Sequence, residues 1–408
     1  MKRDIVVFVV DCLREDTLRG LWRRGKLHGI GGLFKTMSEV RNVFTTGGKT
    51  TPAFASILTG CYPYHHRMRT LYGYKLSPSS VTLPEILRDH GYRTEAYVTG
   101  PLFQETGLTK GFDVYEYRAR EEYVHTDWGK RLVEILGARS AKPRFILVHF
   151  WELHRPRQVI DEYASPCCPF GLYERALLSL DSFFRDHLSS LGLEEKIMVL
   201  TGDHGERISQ LEWIWEKFKG KDLDRSSAGA QGNNRTKGIS KRIKNRVKQM
   251  MHIEIGHGFS FNEELIRVPL LLQGTQGDVA LPRKELCSQL DIFPTLLDLV
   301  DIPVPKNIDG ISLLASASHE SLYLENCISE QPDDRMVMKG VRTIEHKYVV
   351  RPFAEQAQEE VYDLRNDPHE KHNLRSELRA QQVLDHLKEE LTRFGVETLE
   401  DYMEGFSE

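Results

Sequence analysis

This sequence has no apolar run long enough to cross a membrane as a helix. The longest early run, Ile5–Val10, falls far short of the ~20 residues a spanning helix needs. It is also too short for a secretory leader and has no small-residue cleavage site after it, so the expected location is cytoplasmic. Cysteine is sparse. Cys12, Cys61, Cys167, Cys168, Cys287 and Cys327 show no zinc-type or disulfide spacing, and all six read as free thiols. Charge of either sign is not in excess: 55 basic and 59 acidic residues leave a net −4, which gives no argument for nucleic acid or a membrane surface as partner. No internal repeat is present. With 40% hydrophobic residues in 408, the chain can bury a large core, and disorder is excluded as its general state.

Several short apolar runs remain, and they read as buried strands. Ile5–Val10, Arg41–Phe44, Arg93–Val98, Phe145–Phe150, Ile197–Leu200 and Val268–Leu272 are rich in β-branched or aromatic residues. Helical patterns lie between and after them, at Pro52–Leu58, Leu83–His90, Glu174–Leu191 and Gln289–Val300. The alternation predicts an α/β fold: a doubly wound, mostly parallel sheet sandwiched by helices, with sites at the carboxyl ends of its strands. A main domain is expected over 1–310 and a small α+β subdomain over 311–408. The subdomain shows short strands at Arg335–Arg342 and Lys347–Arg351 and a charged helix near Glu377–Phe394. From about 207 to 255 the chain turns polar, then basic, and reads as an insertion. It is either a solvated loop or a strip for a polyanion, with Trp213, Trp215 and Phe218 beside it.

Three short segments carry candidate chemistry. Asp11 follows the first strand. Thr50-Thr51-Pro52 opens a helix, with Pro52 suited to the first helical position and Thr51 to the cap. Asp203-His204 follows another buried strand, between Gly202 and Gly205. Singly, each has a plain structural reading as a cap or a tight turn. Together, two carboxylates, an imidazole and a hydroxyl at one sheet edge could hold a divalent ion. Such an ion would make Thr50 a usable nucleophile, because coordination lowers the pKa of bound water by roughly 8–9 units. The helix N-terminus would add a smaller push, roughly 0.3–1 kcal/mol.

Ordered along the chain, VVDCLRED, TTPAFASILTGCYPYHH, GYRTEAYVTG, TGDHGE, HGFSFNEELIRVPLLL, LDIFPTLLDLVDIPVP, DGISLL and VYDLRNDPHEKHNL resemble motifs of the alkaline phosphatase/sulfatase superfamily. The resemblance runs over nearly the whole chain. It implies an alkaline phosphatase-like fold, Asp11, Asp203 and His204 as metal ligands, and Thr50 at the nucleophile position. His154 resembles the family histidine that contacts the substrate's anionic group or leaving oxygen, and His257 lies near a basic substrate-contacting position. One Mn²⁺, Mg²⁺ or Zn²⁺ per site is expected, since no second ligand set is evident. The departures bear on activity. Sulfatases of this type oxidise a cysteine or serine to formylglycine, which Thr50 cannot become. Phe54 replaces the signature arginine, Cys12 replaces a second acidic residue, and the family's lysine and histidine are missing near Thr99–Phe103. The resemblance therefore implies a hydrolase of a small anionic, phosphate-type ester, with a polyanionic or glycan-linked substrate left open. Sulfate-ester hydrolysis, phosphoryl transfer and anion binding without turnover stay open beside it.

Overall fold

The computed structural model describes residues 3–165, 168–187, 193, 195–208, 256–274, 281–351, 358–377 and 381–395. Most of the expected insertion, with Trp213, Trp215 and Phe218, lies outside the described residues, as does Cys167. The other five cysteines are free thiols.

In chain order the main-sheet strands are β1 (Ile5–Val10), β2 (Ser38–Phe44), β3 (Arg93–Val98), β4 (Val114–Tyr117), β5 (Arg144–Phe150), β6 (Ile197–Gly202), β7 (Arg267–Gln273) and β8 (Cys287–Ser288). They form one sheet in the order β4-β3-β5-β1-β6-β7-β2-β8. β1 pairs in parallel with both β5 and β6, whereas β7 runs antiparallel to β6 and β2. Two reversals leave β2 parallel to β1, so β1, β2, β3, β5 and β6 all end at the same edge.

The helices cover both faces. They include α1 (Glu15–Arg23), α2 (Ile30–Thr36), α3 (Thr50–Thr59), α4 (Pro63–His66), α5 (Leu83–Asp89), α6 (Asp127–Gly137), α7 (Asp161–Ala164) and α8 (Leu172–His187). Alternation along β1 sets which face each layer meets. Val6, Phe8 and Val10 pack with α1, α2, α6 and α8. Ile5, Val7 and Val9 pack with α3, α5 and the helix Ile292–Asp298. Burying each large apolar side chain stabilises the fold by roughly 1.5–3 kcal/mol, so both sides of the central strand are firmly fixed.

α3 begins two residues earlier than the cap pattern suggests. Lys49 occupies the N-cap without a side-chain cap bond, and Thr50 is already helical. Pro52 sits in the first turn, where backbone N–H groups have no intrahelical partner and its ring costs no bond. All ten α3 residues are buried. The predicted helix over Gln289–Val300 is a 3₁₀ turn, Gln289–Asp291, followed by Ile292–Asp298.

After the main sheet comes a small antiparallel sheet of β9 (Ser321–Cys327), β10 (Val337–Thr343), β11 (His346–Arg351) and β12 (Gln358–Asp363), ordered β12-β11-β10-β9. The final helix, Gln381–Arg393, packs on β10 and β11. β9 grips the chain on both sides of α3: Glu325 N–H donates to Thr46 O before it (2.9 Å) and Cys327 N–H to Arg69 O after α4 (2.8 Å). Lys49 reaches across and donates to Ser329 O at 2.7 Å. The C-terminal sheet thus holds the start of α3, and with it Thr50.

Candidate active site

The sheet brings the separate sequence segments to one place. Asp11 lies one residue past β1, Asp203 one residue past β6, and Thr50 at the first turn of α3. Thr50 Oγ1 donates to Asp11 Oδ2 at 3.2 Å and lies 3.3 Å from His204 Nε2. His204 Nε2 is 3.3 Å from Asp203 Oδ2. Cys12, in the left-handed region at φ 60°, turns its N–H to Asp203 Oδ1 at 3.0 Å and its thiol to Asp11 Oδ1 at 2.8 Å. These five residues are essentially buried.

His154 and His257 form the outer layer. His154 stacks on Trp151 with centroids 3.8 Å apart. The His257 ring lies 5.6 Å from His154 and 4.3 Å from His204. Behind His257 stands buried Glu206, at 3.5 Å from Nδ1, with Arg155 and Arg157 at 3.8 and 4.0 Å from its carboxylate. Exposure rises outward, from Thr50 at 1% to Phe259 at 41%.

Sequence reasoning missed His149. It sits in β5, paired with Val9 of β1, and its Nε2 lies 3.3 Å from Asp11 Oδ2. Its only signal is one polar ring in the otherwise apolar stretch Phe145–Phe150. Phe54, at the position of the missing signature arginine, packs edge-on against this ring at 4.8 Å. The Thr99–Phe103 loop supplies no cation. It supplies the Thr99 carbonyl that His149 Nδ1 faces at 3.3 Å. Gly100 (φ +71°) lets Trp151 close over that loop, because a Cβ there would lie 2.3 Å from the indole. Glu206 and Cys12 were visible in the motifs but carried no assigned role.

A shared device orients the rings. His149, His154 and His204 each place Nδ1 against a backbone carbonyl, of Thr99, Arg155 and Gly205 respectively. A carbonyl only accepts, so His154 and His204 carry the hydrogen on Nδ1 and present a bare Nε2 to the site, whereas His149 stands between two acceptors, the Thr99 carbonyl and the Asp11 carboxylate. Burial lowers His204 to about 3 and His154 to about 4, so both are neutral at pH 7. Burial would raise Asp11, but the facing His149 imidazole works against it and holds this carboxyl well below its usual range. Burial and the Asp11 charge push Asp203 far up.

Among the described residues, no Arg or Lys pairs with Asp11 or Asp203. Asp203 Oδ2 and His149 Nε2 are buried without hydrogen-bond partners. Ligand atoms of Asp11, His149 and Asp203 lie within 4.8 Å of one another. A divalent cation would satisfy all of them, and two carboxylates with an imidazole suit Mn²⁺, Zn²⁺ or Mg²⁺.

The family model described as Sulfatase matches residues 36–302. The chain belongs to the sulfatase family. A second model, N-sulphoglucosamine sulphohydrolase, C-terminal, matches 258–397. The family lies within the alkaline phosphatase/sulfatase superfamily. Among curated relatives, the uncharacterized sulfatase YidJ of Escherichia coli is 30% identical over 139 residues, 32% of this chain and 27% of that protein. The match thus spans about a quarter of that relative's length. A putative sulfatase of Bacteroides thetaiotaomicron superposes with a TM-score of 0.64 at 17% identity, covering 97% of this chain and 92% of the other. The phosphonate monoester hydrolase of Agrobacterium radiobacter gives 0.63 at 14%, covering 96% and 95%. These structural likenesses establish the sulfatase-type fold.

Proposed function

We propose that this sulfatase-family chain is a metal-dependent hydrolase that cleaves a phosphate-type ester with Thr50 as nucleophile. The observation that carries the reading is the position of Thr50 Oγ1, 3.2 Å from Asp11 Oδ2 and 3.3 Å from His204 Nε2 at a buried helix start. Asp11, Asp203, His149 and His204, with Thr50 itself, are the residues to hold the cation. A bound divalent ion supplies an accessible alkoxide and offsets the ester's negative charge.

The chain's own groups do the rest. Asp11 accepts the Thr50 hydrogen bond and turns the hydroxyl's lone pairs towards the substrate. Thr50 Oγ1 attacks phosphorus, the bond to the leaving oxygen breaks, the proton lost by Thr50 ends on that oxygen to give the alcohol, and a phosphothreonine forms. Water then attacks the phosphorus, cleaves the bond to Thr50 Oγ1 and releases phosphate. His154 was expected to contact the anionic group or leaving oxygen. With Nδ1 committed to Arg155 O, its bare, neutral Nε2 suits accepting a proton from that water. His257, reached from solvent, contacts the incoming anion. The cytoplasmic location and the 1–310 and 311–408 division belong to the same proposal.

A sulfate ester is the second reading, favoured by the family match over 36–302. The C-terminal match to an N-sulphoglucosamine sulphohydrolase favours a sugar-borne sulfo group within it. Thr50 weighs against it, since a threonine hydroxyl cannot supply a formylglycine aldehyde. Parallel assays with aryl phosphate, phosphodiester, phosphonate and sulfate esters, each with added Mn²⁺, Zn²⁺ or Mg²⁺, separate the readings. Turnover of phosphorus esters supports the first, and turnover confined to sulfate esters replaces it with the second.

A further inference from the structure

The far end of α3 carries a cluster that the chemistry at Thr50 does not use. Helix α3 has ten residues, so about 15 Å of helix separates Thr50 from the chain that follows. Gly60 closes the helix in the left-handed region at φ 66°. Cys61 comes next, and His65 lies in α4. Asp309 reaches both from the loop beyond the helix Ile292–Asp298. Cys61, His65 and Asp309 each offer one ligand atom, and these atoms all lie within 4.8 Å of one another.

The backbone builds this meeting before any ligand arrives. Asp309 and Gly310 N–H both donate to Gly60 O at 2.9 Å. Tyr62 N–H donates to Asp309 Oδ2 at 2.8 Å, across 247 positions of sequence. His65 Nδ1 lies 2.8 Å from the same oxygen. The other two donor groups are held more loosely. Asp309 Oδ1 meets the Tyr64 hydroxyl at 3.5 Å, the outer limit of a hydrogen bond. Cys61 Sγ, a weak hydrogen-bond donor, faces the Thr59 and Asn307 carbonyls at 3.4 and 3.8 Å. The two adjacent histidines also part ways. His66 is buried with both nitrogens bonded, whereas the His65 side chain is 53% exposed and can turn to complete a coordination shell. A thiolate, an imidazole and a carboxylate suit zinc or cobalt over magnesium, and ligands already in place lower the ordering cost of binding.

We propose that Cys61, His65 and Asp309 form a surface site for a divalent cation of zinc type, with water in the remaining position. Binding replaces the Cys61 S–H bond with a sulfur–metal bond and releases that proton to solvent. His65 coordinates as the neutral ring and keeps its one N–H on the other nitrogen, so the step balances. The ion ties the turn after α3 to the loop at Asp309 and stabilises the folded chain, because the unfolded chain does not hold the three donors together.

The test uses the full-length protein with Asp203→Asn, which weakens the ion expected at Thr50. The protein is stripped with chelator and dialysed against micromolar Zn²⁺ or Co²⁺ alone. Elemental analysis should find one equivalent per chain, and the cobalt form should show a thiolate-to-metal absorption in the near ultraviolet. Adding Cys61→Ser should remove that equivalent and the absorption. Adding His65→Ala instead should remove the same equivalent. Its exposed ring makes loss of fold an unlikely cause, and circular dichroism checks both variants. Asp309 is left in place because it also holds the Tyr62 backbone. Metal content unchanged by both Cys61→Ser and His65→Ala overturns the site. So does one equivalent in the parent protein that Asp203→Asn removes entirely, which leaves the ion at Thr50 standing. Retention of no metal by the parent protein overturns both.

Discussion

Two buried charge clusters in this chain are built on opposite principles. Around Glu263, at the junction of the two sheets, every charge has a partner. Glu263 bonds Arg342 (3.1 Å), Arg267 (3.0 Å) and Lys347 (3.0 Å), and Lys347 also meets Glu370 at 2.7 Å. A cleft of about 850 Å³ lies over this network and includes none of the Thr50 cluster. At the Thr50 edge, Asp11 and Asp203 are buried among imidazole rings, with Asp203 Oδ2 and His149 Nε2 left without hydrogen-bond partners. A closed network serves the fold, whereas an open one is completed by something that binds.

Breaking each cluster should therefore have opposite consequences. The largest effect is expected on catalysis. Thr50→Ala should lower kcat on the order of 10⁴-fold or more and leave the melting temperature close to the parent's, measured by steady-state rates and calorimetry. Glu263→Ala should do the reverse. It strands buried Arg342 and removes one of Lys347's two carboxylate partners, and it should cost about 3–5 kcal/mol of stability, read from denaturant midpoints.

His66 sharpens the contrast, because it is a buried ring with both nitrogens satisfied, by Ser56 Oγ (3.0 Å) and Met68 N–H (3.0 Å). Burial, helped by the Arg69 charge, lowers it to about 3. The unfolded chain takes up a proton near pH 6.5 and the folded chain does not, so stability falls as pH drops from about 6.5 towards 3. At about pH 5 this loss should approach ~2 kcal/mol. His66→Gln should remove that pH dependence in urea titrations at a series of pH values.

The smallest effect carries an unusual sign. In chelated protein, Asp203→Asn should raise stability by about 1 kcal/mol, because it removes a carboxylate that burial and Asp11 oppose. Thermal melts with and without chelator check this, and the same variant should lose the metal-induced stabilisation of the parent.

How much of this was legible in the sequence follows from what each feature depends on. Strands buried on both faces, such as β1 and β6, announce themselves as apolar runs. β9 did not, because Glu325 and Asn326 interrupt its pattern. They are buried there because the strand docks on Thr46 and Gly258. β4, half-buried with Glu116 in it, lacks alternation strong enough to read. The short α1 shows only Leu18 and Leu21 as its buried stripe. Asp11, Thr50, Asp203 and His204 stood out because each directly follows a strand or opens a helix. His149 did not, because its place beside Asp11 comes from the pairing of β1 with β5, and strand order is not written in any local segment. Cys12 read as a missing acid, and its neighbours His204 and His257 are distant in the chain.

The most direct test is to trap the intermediate. The full chain, loaded with metal and quenched during turnover of a phosphate ester, is digested and mapped by mass spectrometry. The account predicts phosphate on the peptide containing Thr50, absent in Thr50→Ala. Turnover that continues in Thr50→Ala, with no modified Thr50 peptide in the parent protein, would contradict it.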